Sequence, residues 1–340
     1  MPPSKPKPSE VAAETKRRYI PYLREYYTHW PTHSYLVSQP LADLPWTTSP
    51  GQIELTPPEF HICQGDPVDF IFNWLDHVHV PLGIPFICTA NDKRPGGDWE
   101  TGVVGYEERL CRRSNLSATL ATPVAGTRPS NYPIPSCGAI YSKNVIVFRG
   151  PHENYKEKDE AEWRALPVIS VPAVRWPKLS HMGTTYAFEV EKELMRDKIR
   201  GALRLCNWEN HDYAVIADFG LGNSHRNPPL ELAELWRDIF LYDPDIRGHF
   251  KHVAFVFEDV SQSTSQLIID DLSKKSKTGG SSSRSKSKAT HESTSTGGAS
   301  NSGTVCPTDF EIFQQVFDPG QVRAVLTRPD PRYGISMLTS

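Results

Sequence analysis

The chain has no apolar run approaching the roughly 20 residues that a membrane-spanning helix needs. Its longest apolar stretches, such as Ala214–Ala217 and Val253–Phe257, are of strand length, so no membrane partner is expected. Cysteine is sparse too. The six, at positions 63, 88, 111, 137, 206 and 306 of 340 residues, form no Cys-x-x-Cys pair, which indicates neither a zinc module nor a small disulfide scaffold. Reduced thiols in an intracellular protein, nuclear or cytoplasmic, fit that usage. His77 and His79 alternate in Asp-His-Val-His-Val and could share one side of a strand, but no third ligand lies within sequence reach. No metal is expected. The opening residues Met-Pro-Pro-Ser-Lys-Pro-Lys-Pro lack an apolar core, so residues 1–8 read as a disordered leader rather than a secretory signal.

A basic surface on the folded part is missing as well. The net charge of −3 conceals a 32-residue stretch, Ser273–Thr304, built almost wholly from Ser, Thr, Gly, Lys and Ala without an aromatic residue. It carries Lys274, Lys275, Lys277, Arg284, Lys286 and Lys288 against Glu292 alone, so it holds +5 and the rest of the chain −8. Such a composition cannot bury enough surface to offset chain entropy and reads as a disordered insert. It is either a solvated linker or a basic tether that attracts a polyanion or serves nuclear import. The acidic body argues against duplex nucleic acid as a direct partner.

What is present is a pattern of helices and strands. Ser9 to about Tyr27 and Pro67–Leu75 read as helices, and Ile84–Ala90 as a buried strand. Val145–Phe148 and Val168–Val171 are further strand-length runs. Met195, Ile199 and Leu203 recur every four residues, which predicts an amphipathic helix over Phe188–Cys206. The strand Tyr213–Asp218, the helix Leu230–Leu241, the strand Val253–Phe257 and a last helix Asp309–Phe317 follow. Alternation of this kind requires crossovers and hence an α/β fold with a largely parallel or mixed sheet. Residues 9–272 and 305–330 are expected to form one domain, interrupted by the insert.

Two loops carry the chemistry. After the strand ending at Ala90 comes Pro95-Gly96-Gly97, and a new helix begins near Tyr106. Paired glycines let backbone N–H groups approach a phosphate or ribose closely. Glu107 and Glu108 then fall in the first helical turn, where the helix dipole favours the anion and burial opposes it. A carboxylate placed there can protonate a glycosidic oxygen and then activate water. The plainer alternative is ordinary capping by the glutamates, with Arg109, Arg112 and Arg113 solvating the helix. The second loop, Asp218-Phe-Gly220-Leu-Gly222-Asn-Ser-His-Arg-Asn-Pro-Pro229, lies between a strand and a helix, the setting in which Gly-rich turns cradle a diphosphate. Together the loops suggest a nucleotide diphosphate cleaved next to its ribose.

Pro-Gly-Gly followed by Glu-Glu-x-Leu-Cys-Arg-Arg-Ser-x-Leu resembles the signature of the microbial-type poly(ADP-ribose) glycohydrolases, a branch of the macrodomain superfamily. Further matches run in order along the chain: the N-terminal helix, Gly138-Ala-Ile-Tyr-Ser142, the Gly220-Leu-Gly222 loop with Asn227-Pro-Pro229, and Asp309–Phe317. The resemblance implies a three-layer sandwich, with a mixed, largely parallel sheet between helices on both faces and an N-terminal helical extension. It implies hydrolysis of ribose–ribose bonds in poly(ADP-ribose), with release of ADP-ribose and without a cofactor, in the reversal of ADP-ribosylation that accompanies a DNA damage response. Glu108 takes the catalytic position and Glu107 that of its ribose-binding neighbour. Gly96 and Gly97 cover the cleaved ribose, Asn91 contacts it, and Gly220, Leu221 and Gly222 wrap the diphosphate. Three departures stand out: Asp98 replaces a third glycine, Tyr106 replaces a glutamine, and Asn223-Ser224-His225 stands where an aromatic residue orients the distal ribose. Removal of single ADP-ribose units from proteins, and ADP-ribose binding without turnover, are the alternatives.

Overall fold

The computed structural model describes residues 6–38, 56–278 and 306–327. Seven strands form one sheet: β1 (Ser34–Val37), β2 (Glu59–Gln64), β3 (Phe86–Thr89), β4 (Ala139–Val147), β5 (Arg164–Val171), β6 (Tyr213–Ile216) and β7 (His252–Phe257). Their order is β1-β4-β5-β3-β6-β7-β2. β1 and β5 flank β4 antiparallel, whereas β5-β3-β6-β7-β2 run parallel. The parallel strands are nearly continuous Val, Ile, Phe and Ala because both faces are covered. Period-two alternation divides them: Phe86 and Cys88 face one core, and Ile87 between them faces the other.

Helices fill both layers. In chain order they are α1 (Pro8–Glu14), α2 (Ile20–Tyr26), α3 (Pro67–Leu75), α4 (Tyr106–Arg113), α5 (Leu116–Leu120), α6 (Glu189–Trp208), α7 (Gly222–His225), α8 (Pro229–Tyr242), α9 (Thr264–Thr278), α10 (Asp309–Val316) and α11 (Pro319–Leu326). α6, α8 and α10 bury Met195, Ile199, Leu203, Trp236 and Phe313 against one face. α3, α4 and α5 bury Val68, Ile71, Leu110 and Leu116 against the other. The architecture is the α/β three-layer arrangement expected. Three expectations need adjusting. α9 extends to Thr278, so the first six residues of the expected insert are helical, and residues 279–304 lie outside the described residues. The expected leader reaches Pro8, but Pro8 already opens α1, where its missing N–H costs nothing; residues 1–5 are not described. His77 and His79 sit in an exposed turn after α3, not on a strand, and His77 Nδ1 donates to the Asn73 carbonyl at 2.7 Å.

The N-terminal extension is fastened by a buried arginine. α1 and α2 are joined through a π-turn, Thr15–Tyr19. Arg149, 1% exposed, donates to Thr15 Oγ1 (2.5 Å), the Arg112 carbonyl (3.0 Å) and Glu14 Oε2 (2.9 Å), and lies over the Tyr19 ring at 4.4 Å. Arg149→Met strands those acceptors and is expected to cost about 2–4 kcal/mol in urea denaturation. Lys16→Ala removes only an exposed pair with Glu100 and should change stability by less than about 0.5 kcal/mol.

Candidate active site

Four residues of the first loop and α4 set the geometry. Gly105 is the extended N-cap of α4, with φ −60° and ψ 160°, and Tyr106, Glu107 and Glu108 follow in the first turn. Glu108 points its carboxylate back between two glycines. A Cβ on Gly97 would lie 2.5 Å from Glu108 Oε1, and one on Gly105 would collide with Oε2. Gly97, at φ +57°, is also in the left-handed region that glycine adopts freely. The Asp98 N–H approaches Glu108 Oε1 at 3.4 Å. The half-buried Glu108 therefore presents a carboxylate whose position is set by backbone on two sides.

Its neighbour is in a different environment. Glu107 is 2% exposed, Oε2 accepts the Asn91 N–H at 2.7 Å, and Oε1 has no protein partner. Burial raises its pKa to about 8, against the opposing effect of the Asn91 bond. A buried oxygen lacking a donor suits a ligand hydroxyl.

The loop is held by the arginines that sequence alone allowed to be solvent-facing. Arg112 is 0% exposed. Its Nε donates to the Trp99 carbonyl (2.9 Å), Nη2 to those of Thr101 (3.0 Å) and Val103, and Nη1 to Tyr155 Oη (3.4 Å). Arg113, equally dry, reaches Asp66 Oδ2 (2.6 Å) and Asp69 Oδ1 (2.9 Å) at the start of α3. Solvation of the helix is thus the wrong reading for both. Arg109 pairs with Glu258, whose pKa burial raises to about 7 despite that partner.

Both loops open onto one cleft of about 330 Å³ at the C-terminal ends of β3 and β6. Asn91, Tyr106, Glu107, Glu108, Leu221, Gly222, Asn223, Ser224 and His225 all line it. Gly96, Gly97, Asp98 and Gly220 do not, although Gly97 backs the Glu108 carboxylate. The Asp98 carboxylate pairs with Arg94. The Tyr106 ring packs on Phe86 at 5.3 Å, and its hydroxyl reaches Glu258 Oε1 at 3.5 Å. Gly220 leaves room for Met195 and Asn227, and Asn227 Nδ2 donates to the Gly220 and Val174 carbonyls. The Gly222 N–H donates to Thr264 Oγ1 at 2.8 Å, so this amide of the expected diphosphate cradle is already used. His225 is held neutral, at about 4, by burial and by Arg175.

Arg109, Arg175, Asp218 and Gln262 also line the cleft and were not singled out from the sequence. Arg175 and Asp218 had a signal: each lies just beyond the C-terminal end of a parallel strand, where α/β sheets place ligands. Gln262 had none, since it enters from the turn before α9.

The raised Glu107 pKa has a stability consequence. The folded protein favours the protonated acid, so this contribution is complete below the ordinary value near 4.5 and is lost as pH rises through about 8. A shift of that size amounts to something on the order of 5 kcal/mol. Denaturant melts at pH 5, 7 and 9 should show wild-type stability falling across the range, and Glu107→Gln should flatten the fall.

Residues 60–150 match the family model for the microbial-type PARG catalytic domain, PARG being poly(ADP-ribose) glycohydrolase. The fold matches the crystal structure of poly(ADP-ribose) glycohydrolase from Thermomonospora curvata with a TM-score of 0.58 and 19% identity, over 78% of this chain and 98% of that one. The same enzyme bound to the inhibitor ADP-HPD matches with a TM-score of 0.55 and 18% identity over the same shares. No curated protein matches the sequence. Residues 60–150 thus carry a stretch similar to the microbial-type PARG catalytic domain, set in a fold that a poly(ADP-ribose) glycohydrolase shares.

Proposed function

We propose that the chain hydrolyses the ribose–ribose O-glycosidic bonds of poly(ADP-ribose), releasing ADP-ribose, with Glu108 as general acid and base. The observation that carries this reading is the Glu108 carboxylate seated between Gly97 and Gly105, beside a cleft closed on its other side by Leu221–His225. The protonated Glu108 gives its proton to the leaving ribose oxygen as the C1–O bond breaks, and an oxocarbenium-like centre forms. The resulting carboxylate takes a proton from water, whose oxygen adds to C1. One water is consumed and Glu108 ends protonated, as it began. Glu107 Oε1 accepts a ribose hydroxyl, and Arg175 supplies positive potential for the diphosphate in an otherwise acidic body.

Turnover is favoured over binding alone. The two substitutions best placed to obstruct the site, Asp98 and Tyr106, are engaged by Arg94 and Phe86. The partners are poly(ADP-ribose) and ADP-ribosylated proteins. Six free thiols support action in a reducing compartment, cytoplasmic or nuclear, and reversal of ADP-ribosylation after DNA damage is a role that such an activity would serve. No helix among the described residues is long and apolar enough to cross a membrane.

Glu108→Gln should lower release of ADP-ribose from labelled polymer by about 10²–10⁴-fold while ADP-ribose binding, followed by calorimetry, persists. Undiminished release would remove Glu108 from its role. Release only from singly modified protein would make the enzyme a mono-hydrolase, and polymer binding without release would make it a reader. Gly105→Ala provides an independent check. The backbone there accommodates alanine, and the new methyl displaces only the Glu108 carboxylate. Activity is expected to fall at least about tenfold, with little change in melting temperature.

A further inference from the structure

At the opposite end of the sheet from the cleft, three side chains from β2 and β7 converge. Glu59 and His61 lie two apart on β2 and so share a face. His252, the first residue of β7, is paired in register with Glu59. His61 Nε2 and His252 Nδ1 are 3.2 Å apart. Glu59 Oε1 is 3.8 Å from His61 Nε2, and its Oε2 is 3.5 Å from His252 Nδ1. Aromatic neighbours pack against both imidazoles: Tyr213 stacks on His252 at 4.9 Å, and Trp74 presents an edge to His61 at 5.3 Å and to His252 at 5.9 Å.

We propose that Glu59, His61 and His252 form a zinc site that clasps the edge strand β2 to β7. Tetrahedral zinc holds nitrogen and oxygen ligands at about 2.0–2.2 Å, which separates neighbouring ligand atoms by roughly 3.3–3.5 Å. The three spacings bracket that range. Glu59, which is exposed, must settle one oxygen on the ion, and the two rings, which face each other nearly head-on with centroids 5.5 Å apart, must tilt to share it. Two imidazoles and a carboxylate form a borderline donor set that suits zinc rather than magnesium or calcium, which prefer oxygen alone. Without the ion, one ring must donate its N–H to the other across the 3.2 Å gap. With it, both lone pairs turn inward and the ring protons sit on His61 Nδ1 and His252 Nε2. No proton need be released, because the change is one of tautomer. Water completes the fourth position on the exposed side.

The site lies away from the cleft, so its effect is on stability and not on hydrolysis. The full chain, stripped with chelator and titrated with zinc chloride, should bind one equivalent by calorimetry. Its melting temperature should rise by roughly 3–8 °C when free zinc is a hundred times Kd. Glu59→Gln and His252→Asn should each weaken binding by at least about tenfold and remove the thermal shift, with polymer hydrolysis unchanged by zinc or chelator. Glu59→Gln changes only an exposed group, so it reports even if the histidine variant folds poorly. Absence of wild-type binding, or equal affinity in Glu59→Gln, would overturn the assignment.

Discussion

The active face depends on one buried guanidinium. Arg112 closes α4 and at the same time collects carbonyls from Trp99, Thr101 and Val103, which belong to the loop in front of that helix. Its own carbonyl accepts from Thr15 and Arg149. A planar fork of five donors can collect three loop carbonyls and the Tyr155 hydroxyl in this way, whereas a lysine offers one compact charge. The position of Glu108 follows: with the loop fastened behind it, the glycines on either side of the carboxylate cannot drift.

The site sets two adjacent carboxylates in contrasting surroundings. Glu107 is dry and poorly satisfied, and Glu108 is braced but reaches solvent. Divergent environments for neighbouring acids are a recognised way to give them different tasks. The same region buries Asp218, whose pKa is also raised by burial. Burial therefore favours the uncharged forms of Glu107 and Asp218, while Arg175 and Arg109 stand among the cations at the cleft wall.

Much of this was legible in the sequence. α3 was bounded at both ends by Pro67 and Leu75, α4 was expected to begin at Tyr106, and the four-residue recurrence of Met195, Ile199 and Leu203 revealed α6. The two loops that meet at the cleft stood out in the sequence because glycine and paired acids are local signals. The edge strands β1 and β2 were missed: four and six residues long, with Ser34, Glu59, His61 and Gln64 among their positions, they are too short to show a period of their own, and only their pairing partners make them strands. Arg112 and Arg113 were open to a surface reading because a charged residue on a helix usually points outward. Their burial depends on carbonyls and carboxylates that arrive from elsewhere in the fold. The convergence of His61 and His252 was equally invisible, since parallel pairing joins positions 191 residues apart.

The second loop rests on a chain of hydrogen bonds that ends far along the polypeptide. Gly222 N–H is held by Thr264 Oγ1, and that hydroxyl donates to Asp309 Oδ2 at 2.6 Å, where Asp309 is wholly buried at the head of α10. Asp309 lies beyond the Ser-, Gly- and Lys-rich stretch. As the chain leaves the ribosome, the sheet can assemble while this loop still lacks its brace, and only emergence of the last helices supplies it. Because the α10 segment also packs Phe313 and Phe317 on Phe255 of β7, its arrival completes a core layer and braces the second loop in one step.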